Sequence, residues 1–157
     1  MTRAARRVVF AATASVVLTA IGCDDGDEPL ISDEPEIASV VLSLSPAAGG
    51  PVQYAWAGGA TITPPLRIPL GTSTITAALR DASGASMNAA LAADFELRMT
   101  ATSNAIQFNR GNTNAFAGAI TATPASDVAV MLCIYHKAAG HCDFGAEATP
   151  IPVTSGG

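Results

Sequence analysis

Few residues of this chain belong to the types that perform catalysis. Its 157 residues include two histidines and three cysteines. The sequence contains no Gly-x-Ser-x-Gly elbow, no His-Glu-x-x-His motif and no glycine-rich phosphate loop ahead of a lysine. These absences argue against the hydrolase, metalloprotease and nucleotide-binding classes. The sequence therefore predicts a protein that is not an enzyme and has no cofactor.

Basic residues are also scarce, and they are scattered along the chain. Beyond residue 22 there are five of them against 13 acidic residues, which leaves a side-chain charge of −8. The five are Arg67, Arg80, Arg98, Arg110 and Lys137. Nucleic-acid binding requires clustered Lys and Arg, and so does electrostatic docking on anionic lipid. The composition argues against both, so membrane attachment would have to depend on a covalent lipid.

The first 22 residues have the layout of an export signal. Three arginines come first, and an uncharged apolar run, Val8–Ile21, follows them; the arginines are Arg3, Arg6 and Arg7. A basic start, an apolar centre and small residues at the cut define a secretory signal. An ordinary signal cleaved near Ala14 is one alternative. An uncleaved span is disfavoured, since the uncharged stretch is shorter than the ~20 residues that a membrane-crossing helix needs.

The end of this segment, Ala20-Ile21-Gly22-Cys23, resembles the lipobox of bacterial lipoproteins. The third residue before the cysteine is Ala20, where the family usually has Leu. The resemblance implies cleavage after Gly22 and acylation of Cys23, with palmitate among the usual acyl groups. Such a protein would be lipid-anchored to a membrane of the bacterial cell envelope, facing the periplasm or the cell surface.

An acidic segment follows the cysteine. Asp24–Glu36 contains seven acidic residues, no basic residue, and both Pro29 and Pro35. Like charges repel, proline opposes helix formation, and little apolar surface is available to bury. We expect residues 23–36 to form a disordered tether. A cation-binding tail is the alternative, but calcium requires six to eight oxygens in a fixed cage.

Residues 37–157 show the periodicity of an all-β domain. Apolar and polar residues alternate with a period of two, which is typical of half-buried strands. The alternating segments are Val40–Leu44, Val52–Trp56, Ile75–Leu79 and Phe95–Ala101. Clusters of turn-forming residues separate them. The pattern predicts an Ig-like antiparallel β-sandwich of about seven to nine strands.

One segment, residues 86–93, departs from the alternation. It is rich in alanine and leucine, which favour helix, and Ser86 is a candidate N-cap. We expect one or two helical turns that cross between the sheets.

The last strands are more apolar. Val128–Tyr135 is nearly continuous, as in a strand covered on both faces. Ala146–Val153 is expected to return beside it. Because Pro150 and Pro152 have no N–H to donate, this last strand is predicted to lie at an edge.

Two cysteines remain if Cys23 is lipidated. In an oxidising compartment an even pair usually forms a disulfide, so we predict that Cys133 and Cys142 are joined. The alternative is a zinc-type site that adds His136 and His141 to both cysteines. Cys133 and His136 are three apart on a predicted strand and therefore point to opposite faces, which disfavours the metal site.

Two carboxylates, Asp94 and Glu96, share a face of a predicted strand. They are candidates for an acid/base pair, but such catalysis also requires a pocket that shifts a pKa. Arg98 and Thr100 follow on the same face. This neighbourhood favours a solvated face.

Two aromatic residues and one aspartate are further candidates for ligand binding. Tyr54 and Trp56 could stack against a ligand, but they alternate in phase with Val52 and are expected in the core first. Asp81 could bind calcium, although aspartate in a turn usually bonds its own backbone.

The domain also resembles a loose group of small bacterial lipoproteins that pair an acidic tether with one β-rich domain. The resemblance lies in Glu36–Leu44 and in Leu132–Val153, and it implies fold and location only. The first functional hypothesis is a non-catalytic binding or structural module of the envelope, whose partner is a protein or another envelope ligand. The alternative is a small periplasmic metal-binding sensor or chaperone that uses Cys133, His136, His141 and Cys142.

Overall fold

Strands dominate the computed structural model, which describes residues 36–145 and 147–155. The predicted signal, Cys23 and almost all of the tether lie outside the described residues. The elements in chain order are β1 Ser39–Pro46, β2 Val52–Trp56, β3 Ile62–Thr63, β4 Arg67–Ile68, β5 Gly71–Arg80, α1 Asn88–Leu91, β6 Phe95–Ala101, β7 Ile106–Arg110, β8 Ala117–Ala122, β9 Val128–His136, β10 His141–Gly145 and β11 Ile151–Ser155.

These strands form two sheets. The first has the order β3-β2-β1-β5-β8-β7, and the second has the order β10-β9-β11-β4 with β6 also paired to β9. Every pairing is antiparallel except the short one between β11 and β4. The predicted all-β sandwich is confirmed. Its described strands number eleven rather than seven to nine, because the proline-rich segment between β2 and β5 contributes two strands of two residues each.

Alternate residues of the strands fill the space between the sheets. In β1 and β5 the core-facing residues Leu42, Ile75 and Leu79 are fully buried. Burial of such a side chain contributes roughly 1.5–3 kcal/mol relative to leaving it exposed. The period-two pattern thus identifies the buried face correctly. Val52 is the exception, since it begins β2 and remains 45% exposed.

The helical crossover is present but is not capped as predicted. The helix α1 follows Met87, and no side chain caps it. Ser86 instead forms an isolated bridge with Arg80. The Asn88 side chain ties the helix to β5, accepting a hydrogen bond from the Leu79 amide (2.7 Å) and donating one to the Ala77 carbonyl (2.7 Å). The hydrogen bonds between Asn88 and β5 therefore hold the helix in place of the predicted N-cap.

The prediction that the last strand lies at an edge is wrong. The strand β11 pairs with β9 through residues 151–153, and beyond the prolines Thr154 and Ser155 pair with β4. Pro152 forms no pair with β4, so its missing N–H interrupts no bond on that side. The helical structure found within residues 36–155 is too short to span a membrane.

Candidate functional site

The hairpin of β9 and β10 carries both histidines and two of the cysteines. His141 lies directly opposite His136, and Cys142 lies opposite Tyr135. The register then shifts, so that Asp143 has no partner residue on β9. This is a β-bulge, which inserts an extra residue and re-aims side chains.

The predicted disulfide is confirmed. Cys133 and Cys142 are joined, and their Cα atoms are 5.7 Å apart. This distance is near the middle of the usual range of 4.4–6.8 Å. The bridge is diagonal across the hairpin, because Cys142 pairs with Tyr135 and not with Cys133.

Successive side chains of β9 point to opposite faces of the second sheet, and this alternation places the disulfide and the histidines on different faces. Cys133 alternates along β9 with the core residues Leu132 and Ile134, so it lies on the outer face of the second sheet. His136 lies on the inner face, where its ring stacks on Phe95 with centroids 4.4 Å apart. Phe95 is buried and lies opposite His136 in the register. The sequence-based expectation of opposite faces therefore holds.

The histidines converge on Asp143. The Nε2 atom of His141 is 2.7 Å from Asp143 Oδ1, and the Nδ1 atom of His136 is 3.5 Å from Asp143 Oδ2. The His136 and Asp143 side chains are only 14% and 19% exposed, whereas that of His141 is 58% exposed. One potential ligand atom from each of the three residues lies within 4.8 Å of the others. The group, named the His-Asp cluster below, has the donor types that divalent transition metals prefer.

The four-residue metal site considered from the sequence is not assembled. The disulfide uses both sulfurs, which leaves no thiolate at Cys133 or Cys142. Asp143 takes part instead. The sequence contained one signal for it, because residues i and i+2 of a strand share a face and Asp143 is two residues after His141. The bulge that brings Asp143 to the two histidines was not predicted by any pattern in the sequence.

The base of the hairpin is packed tightly against the first sheet. Phe144 makes an edge-to-face contact with Trp56, with ring centroids 5.0 Å apart. Gly145 has φ +99°, and a Cβ atom at this position would overlap the Leu132 carbonyl oxygen and the Trp56 indole. A glycine is therefore required here. The contacts fix the position of β10 and, with it, that of the His-Asp cluster.

A second group of charges lies on β6. Glu96 is only 7% exposed and receives two arginines, Arg98 at 2.8 Å and Arg110 at 3.0 Å. The Arg98 guanidinium also lies 3.2 Å from the centroid of the Tyr135 ring. Burial alone lowers the pKa of Arg98, but hydrogen bonds and attraction from Glu96 and Tyr135 raise it above its ordinary value overall.

The predicted solvated face at Glu96 is therefore wrong. Asp94 is exposed and precedes β6, while Glu96 is buried beneath the arginines. Arg110 comes from β7 of the first sheet, and sequence alternation within β6 does not reveal it. This carboxylate links two sheets and is held in ion pairs.

The residues that the sequence offered as further ligand-binding candidates are engaged in contacts within the fold. Tyr54 and Trp56 are 3% and 1% exposed and lie in the core. The Tyr54 hydroxyl donates to the Arg67 carbonyl, and the Trp56 indole N–H donates to the Gly59 carbonyl. Asp81 accepts hydrogen bonds within its own turn, from the Ser83 amide and hydroxyl and from the Ala85 amide. These bonds lower the pKa of Asp81.

The outer face of the first sheet differs from the hairpin. Its outward positions on β5, β8 and β7 carry hydroxyl, amide and methyl groups, and Thr72 and Thr121 bring their Oγ1 atoms within 3.3 Å. In the described strands of this sheet, the charge on the outer face is that of Arg80 at the end of β5. A shallow depression of about 310 Å³ lies there, lined by residues that include Thr74, Asn109 and Asn114.

Comparison with known proteins adds no relative. No protein-family model, no curated protein and no solved structure matches the chain.

Proposed function

We propose that the chain is a lipid-anchored lipoprotein of the bacterial cell envelope and acts as a non-catalytic binding or structural module. The observation that carries the proposal is the position of Cys23. It stands between the apolar run Val8–Ile21 and the acidic segment Asp24–Glu36, ahead of a separate β domain. This order is the one expected for an anchor, a spacer and a displayed domain.

Two features of the described domain support the proposed role as a binding or structural module. Its charged groups Glu96 and Asp81 are engaged in structural contacts. Its first sheet presents a broad face of hydroxyl and amide groups, which can form hydrogen bonds with an uncharged partner without a large desolvation penalty for charge. The proposed partners are a protein or another component of the envelope.

Cell fractionation tests the anchor. The wild-type chain is expected in the membrane fraction, and Cys23→Ser is expected in a soluble fraction, since removal of the thiol removes the acylation site. The double variant Cys133→Ser/Cys142→Ser is the matched control and should remain with the membrane. An inhibitor of lipoprotein signal peptidase should cause the larger precursor of the wild-type chain to accumulate.

Two results would contradict the proposal. One is a Cys23→Ser chain that stays with the membrane as the wild type does. The other is a precursor whose mass and amount are unchanged by the inhibitor. An ordinary signal cleaved near Ala14 would give a soluble wild-type protein.

A further inference from the structure

The His-Asp cluster combines two imidazoles and one carboxylate at the end of a hairpin. Three protein ligands of these types, with a fourth position left to water, form a common zinc arrangement. Imidazole ligands favour zinc, copper, nickel and iron, whereas magnesium and calcium favour oxygen alone. From this geometry we infer that His136, His141 and Asp143 bind one divalent transition-metal ion.

The two contacts of Asp143 lie on either side of the ligand separation expected around a bound metal. Two ligands at zinc bond lengths of about 2.0–2.1 Å in a tetrahedron lie about 3.3 Å apart. The observed separations from Asp143 are 3.5 Å to His136 and 2.7 Å to His141. These two contacts use different oxygens of Asp143, and one ligand atom from each of the three residues lies within 4.8 Å of the others. Closing the three atoms around one ion therefore requires a movement of at most about 1.5 Å. The His141 side chain is 58% exposed and is free to make this movement.

The other two ligands are held in place by the fold. The His136 ring is fixed by its stacking on Phe95. Asp143 stands in the bulge between Cys142, which the disulfide ties to β9, and Phe144, which packs on Trp56. With two ligands fixed, the movement needed to accept an ion falls mainly on the exposed His141. The disulfide thereby acts as a support for the site and not as part of its ligand set.

This inference goes beyond the proposed anchor and does not depend on it. It also differs from a Cys-and-His site, because the ligands are nitrogen and oxygen only. Cobalt distinguishes the two cases, since thiolate ligation to Co²⁺ produces a strong near-ultraviolet charge-transfer band that imidazole and carboxylate ligands do not produce.

The experiment uses the full chain, purified in detergent and stripped of metal with a chelator. Calorimetric titration with Zn²⁺ should give one ion per chain. Co²⁺ should give visible d–d absorption without the thiolate band. His141→Gln and Asp143→Asn should each weaken Zn²⁺ binding by about 100-fold or more, because loss of an outer-shell partner alone costs roughly 10–100-fold.

Asp127→Asn is the matched control. Asp127 lies just before β9, at the far end of the strand from His136, and its φ of 56° is one that asparagine tolerates. This variant should bind Zn²⁺ as the wild type does. Circular dichroism should show an unchanged β spectrum for all three variants, since His141 is exposed and Asn replaces Asp at nearly constant volume.

Three outcomes would overturn the inference. The first is absence of one-to-one Zn²⁺ binding by the wild-type chain. The second is binding that survives both His141→Gln and Asp143→Asn, which would assign the ion to acidic residues elsewhere. The third is a thiolate band with Co²⁺, which would assign it to the cysteines.

Discussion

The two sheets bury similar apolar faces against each other, but their outer faces differ. The outer face of the first sheet consists largely of hydroxyl, amide and methyl groups. The second sheet carries on its outer face the Cys133–Cys142 disulfide and the contacts of Glu96 with its arginines, and at its hairpin end the His-Asp cluster. The disulfide, the ion pairs of Glu96 and the His-Asp cluster are thus concentrated around β9.

The position of β9 explains this concentration. It pairs with β6 along one side, and with β11 and β10 in succession along the other. Side chains from several segments therefore meet on this strand, whereas among the described residues the outer face of the first sheet is formed by its own strands and by the loop that joins β7 to β8. The comparison predicts that substitutions near β9 are costly and that those on the first sheet's outer face are tolerated.

The largest effect is expected from Gly145→Ala. The added Cβ would overlap the Leu132 carbonyl and the Trp56 indole, in a backbone conformation that L residues rarely adopt. Overpacking typically costs about 1–3 kcal/mol and a left-handed conformation about 1–2 kcal/mol more. Urea denaturation should show a loss of about 3 kcal/mol or more in unfolding free energy.

Its control is Gly50→Ala, in the turn between β1 and β2 of the first sheet. A Cβ atom there meets nothing within 4 Å. The variant should unfold within about 0.5 kcal/mol of the wild type, as most surface substitutions do. Equal losses at both glycines would refute the proposed contrast between the sheets.

The second largest effect is expected from Cys133→Ala/Cys142→Ala. The bridge joins residues nine apart in sequence, and loop-entropy reasoning assigns it roughly 2–3 kcal/mol. The double variant should retain its β-type circular dichroism and lose stability by about that amount. A chain whose stability does not change on removal of both cysteines would show that the core alone holds the hairpin.

A smaller effect is expected from Glu96→Gln. The neutral side chain gives up the charge-assisted bonds to Arg98 and Arg110, whose side chains are 45% and 35% exposed and can be rehydrated. We expect a loss of about 1–2 kcal/mol in the free energy of unfolding. Thr74→Val on the first sheet is the comparison, with an expected change within about 0.5 kcal/mol. A Glu96→Gln chain as stable as Thr74→Val would remove charge pairing as a difference between the sheets.

The smallest effect is expected from Asp81→Asn, in the turn after β5. Hydrogen bonds to Ser83 and Ala85 hold the pKa of Asp81 below its ordinary value of 3.8 in the folded state. A lowered folded pKa stabilises the fold at pH values above 3.8, and the contribution is lost as pH falls through the folded pKa. The wild type should therefore lose more stability than Asp81→Asn between pH 5 and pH 2. Identical pH profiles would contradict this role for the turn.

The local sequence pattern predicts much of this fold and less of the candidate site at the β9–β10 hairpin. Alternation in β1, β5 and β6 identified the core faces, because a sheet buried on one side imposes a period of two. The compartment implied by the signal, together with the cysteine count, predicted the disulfide. Both inferences use information contained within a few residues or in composition.

Two of the three features that the sequence did not predict depend on distant segments. Glu96 is buried because Arg110 reaches it from the other sheet. The last strand is not an edge because β4, more than 80 residues earlier in the chain, pairs with its end. Asp143 joins the histidines through a bulge, and no periodic pattern encodes a single extra residue. Long-range contacts decide the first two cases, and a local irregularity of the β9–β10 hairpin decides the third.

The mass of the mature N-terminal peptide would show whether Cys23 carries the covalent anchor. The protein would be purified from the membrane fraction, digested and analysed by mass spectrometry. We expect a peptide that begins at Cys23 and carries a diacylglyceryl group and one further acyl chain. An N-terminus at any other residue, or an unmodified Cys23, would contradict this expectation.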